Sequence, residues 1–279
     1  MSQDDLQQLR RWRTLGARQS ENVVRLAQRV LQAGGLGDEE WPVREQLTIA
    51  ALDLGQVKLA NLQLRTLQAK FPKSPRADLL LGLKLEAVEE FERARQLYQG
   101  LLTNNECNVA AHQRLIALSP STQDAIGNLL TYLDTFYSDA AAWSLLAELY
   151  ASLGAYAQSL TALGHLLVLH TWDSQAVTRY AETAYTMGDY QLALKYFLRA
   201  TEMETPADGN AEGFRTRSWW GVKQTAKRLL DPATRTDTAI PDDSVVPPAK
   251  LQKLEALATE RILAVGGANM DARRAVLAG

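Results

Sequence analysis

The sequence holds one cysteine, three histidines and nine prolines in 279 residues. A lone thiol, Cys107, closes no internal disulfide and supplies no zinc-type ligand set, so a reducing compartment, the cytosol, is the expected location. Neither sign of charge is in surplus, since 30 Lys plus Arg stand against 32 Asp plus Glu for a net charge of -2. A nucleic-acid binder would concentrate a basic excess on one face, so a phosphate backbone is excluded as the partner. No apolar run approaches the roughly 18 to 20 residues that span a bilayer, and stretches such as Leu79–Leu83 and Leu166–Leu169 have the size of helix cores. Met1–Gln8 is polar and acidic, so no secretory signal and no direct membrane span are expected.

Catalysis requires a nucleophile, a base and a group that orients the base. His165 and His170 are five residues apart, on different faces of a helix, and His112 stands alone. None has a Cys or acid at metal-ligand spacing. Cys107 follows Glu106 and lacks an adjacent Lys or Arg that would depress its pKa, so it reads as an inert thiol. Gly34, Gly35 and Gly37 introduce no phosphate-binding motif, and Asp38, Glu39 and Glu40 would repel a phosphate. The sequence therefore predicts no catalytic residue, no cofactor, no metal site and no enzyme activity.

What is present is a period. Ala60, Ala94, Ala125, Ser159 and Ala193 recur at intervals of 34, 31, 34 and 34 residues, and four residues after each stands Leu64, Tyr98, Leu129, Leu163 or Phe197. Upstream, Leu47, Leu81, Leu146, Tyr180 and Trp220 each precede a compact residue, and Gly55, Gly154 and Gly188 punctuate three of the units. A small residue lets two helices approach, a bulky one fills the groove beside it, and a glycine ends the first helix in a left-handed cap. The period and pattern predict an all-α tetratricopeptide-repeat α-solenoid, a right-handed superhelix of antiparallel helix pairs.

Repeats are expected at 41–74, 75–107, 108–139, 140–173 and 174–207, with a degenerate sixth from about 214. Ser119, Pro120, Ser121 and Thr122 compress the turn of the third. This divides the chain into capping helices over 1–40, the solenoid over 41–230, a proline-rich connector over 231–249 that reads as extended or disordered, and a C-terminal helix with a loose tail over 250–279. Arg10–Arg13 is a short basic cluster around Trp12 that could meet anionic lipid or an acidic protein patch, although such a cluster is more often a solvated helix face.

In such a solenoid the first helix of each pair lines a concave wall. Counting along the repeats, that wall is expected to carry Glu45, Ile49, Asp53, Leu79, Leu83, Glu86, Ser144, Glu148, Gln175, Thr178, Glu182 and Tyr185 as partner-binding residues. It reads as acidic, suited to a segment bearing Lys or Arg with apolar anchors near Ile49, Leu79 and Leu83. A carboxylate-gripping clamp is disfavoured on charge.

EQLTIAALDLG over 45–55, FPKS over 71–74, GLKLEAVEEFERARQLY over 82–98, AAWSLLAELY over 141–150 and KYFLRA over 195–200 resemble the family of subunit 2 of the endoplasmic reticulum (ER) membrane protein complex. RRWR over 10–13 and SENVV over 20–24 are similar to its first helices. The resemblance covers about residues 9–205, and the insertion over 204–213 departs from it. It implies a non-catalytic scaffold subunit, peripheral on the cytoplasmic side of the ER membrane. The family's assembly inserts tail-anchored and multipass transmembrane segments, and the partners implied are the soluble subunit 8/9 and cytosolic segments of subunits 3 and 5. The alternative from the residues alone is a peptide-binding co-chaperone adaptor with transient basic ligands.

Overall fold

The computed structural model describes residues 3–204, 216–234, 237–265 and 269–278. Arg215 and all of the expected insertion except Glu204 lie outside them. Among the described residues there are fifteen α-helices and no strand. The chain divides into two compact units, Met1–Asn128 and Leu129–Gly279.

The first unit holds α1 (Gln3–Leu15), α2 (Ser20–Ala33), α3 (Glu40–Asp53), α4 (Val57–Lys70), α5 (Pro75–Ala87), α6 (Phe91–Asn104) and α7 (Val109–Ala117). The division falls within α8 (Thr122–Thr135). The second unit holds α9 (Ala140–Ser152), α10 (Tyr156–Leu169), α11 (Ser174–Met187), α12 (Tyr190–Glu204), α13 (Thr216–Leu230), α14 (Pro248–Ala264) and α15 (Met270–Ala278).

Local chemistry sets these boundaries. Asp139 and Asp173, equivalent residues of successive repeats, cap α9 and α11 by accepting two backbone N–H bonds each. Asn108 caps α7 through Ala111 N. Such caps satisfy donors that the first helical turn leaves unpaired. The turn inside four hairpins is the same: Gln56, Glu90, Ala155 and Asp189 donate N–H bonds to the carbonyls of Ala51, Leu85, Tyr150 and Ala184. That closure requires a left-handed residue just before the donor. Gly55, Gly154 and Gly188 supply it without strain, and the second hairpin forces Glu89 to φ 63°.

The periodic small residues work as close-approach points. Ala60, Ala94 and Ala193 are at most 1% exposed, as is Ser159, whose hydroxyl donates to Ala147 O at 2.8 Å. A Cβ on Gly82 would lie 2.4 Å from the Tyr98 ring, and one on Gly221 would lie 2.3 Å from the Phe197 ring. The bulky residue of the pattern therefore fills the space left by a missing side chain on a facing helix, a fit that tolerates no added methyl without repacking.

The C-terminal part differs from the sequence expectation in two places. The proline-rich connector is an ordered strap over its described residues. The Asp189 carboxylate, 3% exposed, accepts from Thr238 Oγ1 at 2.7 Å and Ala239 N at 2.9 Å. Gln191 Oε1 accepts from Val246 N, and Ile240 is buried. The strap delivers α14 onto α13, making a sixth hairpin in which Ala258 and Ile262, both fully buried, repeat the small and bulky residues four apart. Lys223 of α13 reaches Thr259 Oγ1 at 2.9 Å and Glu255 at 3.3 Å. The second difference is the tail, expected to be loose beyond Gly266. Its residues 270–278 form α15, and Arg273 donates to the carbonyls of Ile262 and Val265 at the end of α14.

Candidate docking surfaces

The expected wall residues fall on the first helices of the hairpins, and their surroundings correct the expectation that this face is a free acidic surface. Glu45 of α3 receives Arg76 of α5 through two contacts, Nε at 2.7 Å and Nη2 at 2.6 Å. Glu86 of α5 receives Arg114 of α7 through Nε at 2.9 Å and through Nη2, and it also accepts from Tyr98 Oη at 2.6 Å. Glu182 of α11 receives Arg217 of α13 at 2.6 and 2.7 Å. Arg179 of α11 donates to Ser144 Oγ of α9 at 2.6 Å. In each case a residue on the first helix of one hairpin is held by an arginine from the first helix of the next. The planar guanidinium matches a carboxylate bidentately, so the three carboxylate staples fix orientation as well as distance.

Asp53 is engaged within the first unit in another way. It accepts Arg18 Nε at 3.0 Å, Arg18 Nη2 at 2.5 Å and Ser20 Oγ at 2.7 Å. Burial pushes its pKa up, but the hydrogen bonds from Arg18 and Ser20 and the Arg18 charge outweigh this and hold the carboxyl below the usual range. Glu148 is the one expected wall acid for which no ion pair is found among the described residues, and it is exposed. Thr178 is 3% exposed and bonded to Ser174 O and Ser218 Oγ, so no partner can reach it. Leu79 and Leu83 pack against hydrophobic clusters. Gln175 is exposed, and Tyr185 is half-buried with its ring 5.0 Å from Tyr190.

Glu45, Ile49 and Asp53 do meet, in a groove of about 330 Å3 whose lining includes Trp12, Arg18 and Gln46. Two buried polar atoms beside it, Arg13 Nη1 and Gln46 Oε1, have no hydrogen-bond partner among the described residues. The basic cluster over 10–13 is largely absorbed. Arg10 and Arg13 both contact Glu39, at 3.2 and 3.1 Å, and anchor α1 beside the 3-10 turn Gly37–Glu39. Burial opposes ionisation of Glu39, yet the two arginines hold its pKa below the ordinary value. Arg11 is left exposed.

The histidines are dispersed. His112 is buried with Nε2 2.9 Å from Glu106 O, His165 stacks on Trp143 at 4.2 Å, and His170 is exposed. Cys107 is exposed. Among the described residues no three His, Cys, Asp or Glu side chains are grouped to hold a metal, and no helix is long and apolar enough to cross a membrane.

Sequence reasoning placed the paired acids on first helices but missed the arginines that hold them. The signal was present, because Glu45 and Arg76, Glu86 and Arg114, and Glu182 and Arg217 are 31, 28 and 35 residues apart, close to one repeat. It also missed exposed apolar side chains around the fourth hairpin: Tyr137 is 72%, Val168 77% and Trp172 86% exposed.

The family model described as the EMC2 TPR-like repeat domain matches residues 61–195. ER membrane protein complex subunit 2-A of Xenopus laevis is 34% identical over 209 residues, which cover 72% of this chain and 70% of that protein. TPR repeat protein oca3 of Schizosaccharomyces pombe is 29% identical over 206 residues, 71% of this chain and 70% of that protein. The solved C-terminal part of a TPR repeat-containing protein from Cytophaga hutchinsonii covers 96% of this chain and 97% of its own with a TM-score of 0.60, and at 12% identity this likeness shows the shared fold. With a repeat-domain match and a third of its residues shared over most of such a relative, the chain belongs to the family of ER membrane protein complex subunit 2.

Proposed function

We propose that the chain is a non-catalytic scaffold subunit of an ER membrane protein complex, peripheral on the cytoplasmic side of the membrane. In this reading its assembly inserts transmembrane segments, tail-anchored and multipass clients among them, and the insertion chemistry resides in membrane-embedded subunits. The observation that carries the reading is the family likeness over 70% of the length of relatives that bear that subunit's name. The resemblance further implies contacts with the soluble subunit 8/9 and with cytosolic segments of subunits 3 and 5. Hairpins stapled to one another make a preorganised support, which suits permanent partners better than exchangeable ones.

The adaptor reading, with transient basic ligands, loses its main support. Of the five acids expected on the wall, Glu45, Asp53, Glu86 and Glu182 are already paired with arginines. Affinity purification of the tagged chain from detergent-solubilised membranes, followed by mass spectrometry, tests the proposal. It predicts recovery of membrane-embedded subunits in stable proportion and resistant to salt. Recovery of chaperones alone, or of basic ligands released by moderate salt, contradicts it.

A further inference from the structure

Between Ala140 and Trp172, a stretch of 33 residues, Glu148 is the single Asp, Glu, Lys or Arg. At the chain's 22% charged composition about seven would be expected. A hairpin that met only water would place charge on its outer face. Here the outer face of α10 runs through Thr161, His165 and Val168 to Trp172 beyond its end, all exposed. Two contacts link aromatic residues here: His165 stacks on Trp143 at 4.2 Å, and Trp143 Nε1 donates to the backbone carbonyl of Tyr137 at 2.8 Å, while Trp172 stands in the turn three residues beyond the end of α10. Tyr137 and Trp172 both stand just before an Asp that caps the next helix, two residues before Asp139 and one before Asp173.

Trp172, Tyr137 and Val168 together leave on the order of 400 Å2 of side-chain surface in water. Polar groups stand at the rim: Asp139 and Asp173 at the helix caps, and Arg199, whose Nη2 donates to Thr171 O. A charge-depleted centre with Trp and Tyr anchors and a polar rim is the composition of a protein interface.

From this we infer that the fourth hairpin is a subunit-docking face, occupied by an uncharged apolar surface of a different polypeptide of the same assembly. The inference deepens the scaffold reading and rests on it. Within this stretch a basic peptide finds only Glu148, since the rim carboxylates of Asp139 and Asp173 are engaged at helix caps; adsorption to an anionic membrane would call for a cluster of Lys or Arg, whereas the rim Arg199 is held on Thr171 O.

The test uses the full-length chain in its native membranes, wild type beside the double variant Val168→Asp/Trp172→Asp. Both sites are largely exposed, so the melting temperature of the purified variant should be unchanged; Leu62→Asp, at a residue 61% exposed on α4, controls for an added surface charge. The expected result is that wild type and the control recover the complex, whereas the double variant loses at least one co-purifying subunit by about tenfold or more. A photo-crosslinking phenylalanine at position 172 should label that same subunit. Full recovery by the double variant overturns the inference and leaves the scaffold reading standing. So does labelling of a second copy of this chain or of lipid. If the wild type itself recovers no membrane subunit, the scaffold reading falls and this inference with it.

Discussion

The second and fourth hairpins share a helix plan but treat charge in opposite ways. In the second, α5 and α6, Glu86 gathers Arg114 and the Tyr98 hydroxyl around a carboxylate whose side chain is 12% exposed. In the fourth, α9 and α10, the sole Asp, Glu, Lys or Arg is Glu148, and the exposed surface mixes uncharged polar side chains with apolar ones such as Val168. A solenoid repeat must bury its inner faces against its neighbours, but its outer surface is free to vary. The second hairpin directs its polar groups at other parts of this chain. The fourth leaves its surface uncommitted by charge, and that is where a permanent neighbour finds dry contact area.

The comparison breaks most visibly through Tyr98. Its ring fills the space beside Gly82, and burial pushes its hydroxyl pKa up. Tyr98→Ala should cost about 3–5 kcal/mol in chemical denaturation of the purified chain. Tyr98→Phe keeps the ring and loses the bond to Glu86, at about 1 kcal/mol. Equal losses for the two would mean that the hydrogen bond, rather than the fill, holds this hairpin.

Arg114→Ala comes next, because it strands a carboxylate that is mostly out of water; a cost of about 1–3 kcal/mol is expected. The equivalent change at the more exposed staple, Arg217→Ala, should cost no more than about 0.2–1 kcal/mol. Melting curves of both variants give the ratio. Comparable values would show that burial does not set the strength of the staples.

A smaller, pH-dependent effect separates the charged region from the fourth hairpin. Asp53 and Glu39 have native pKa values below those of the unfolded chain, so on acidification the unfolded state takes up protons first. Their contribution is present in full above about pH 5 and is lost as pH falls through the unfolded and then the depressed native values. Arg18→Gln should flatten the acid limb of stability between about pH 5 and 3 without changing α9–α10 exchange rates. An unchanged acid limb would remove Asp53 from the account. Smallest of all, Trp172→Ser should change stability by less than about 0.5 kcal/mol, since the ring touches mainly water.

The repeat was legible because close packing between helices leaves few residue choices: Ala60 with Leu64, Ser159 with Leu163 and Ala193 with Phe197 recur at one spacing, and each is buried. The same spacing at Ala258 and Ile262 marked the second helix of the sixth hairpin, but the prolines of the intervening strap hid the pairing. The strap itself was not legible, since it is held by Asp189 some fifty residues upstream, and no local pattern announces a carboxylate that will be buried by distant donors. The wall was half legible. The repeat register placed Glu45, Glu86 and Glu182 on the first helices of their hairpins, whereas their availability to a partner depended on arginines one repeat away. The charge-poor fourth hairpin is a local gap in composition, which the near-balance of charge over the whole chain conceals.

Hydrogen exchange of the chain alone against the chain within its purified assembly tests the central claim most directly. The account predicts slowed exchange in the segments around Tyr137 and Trp172, 136–144 and 165–173, with 45–53 on the stapled wall little changed. Protection confined to the wall, with the fourth hairpin exchanging equally fast in both states, would contradict it.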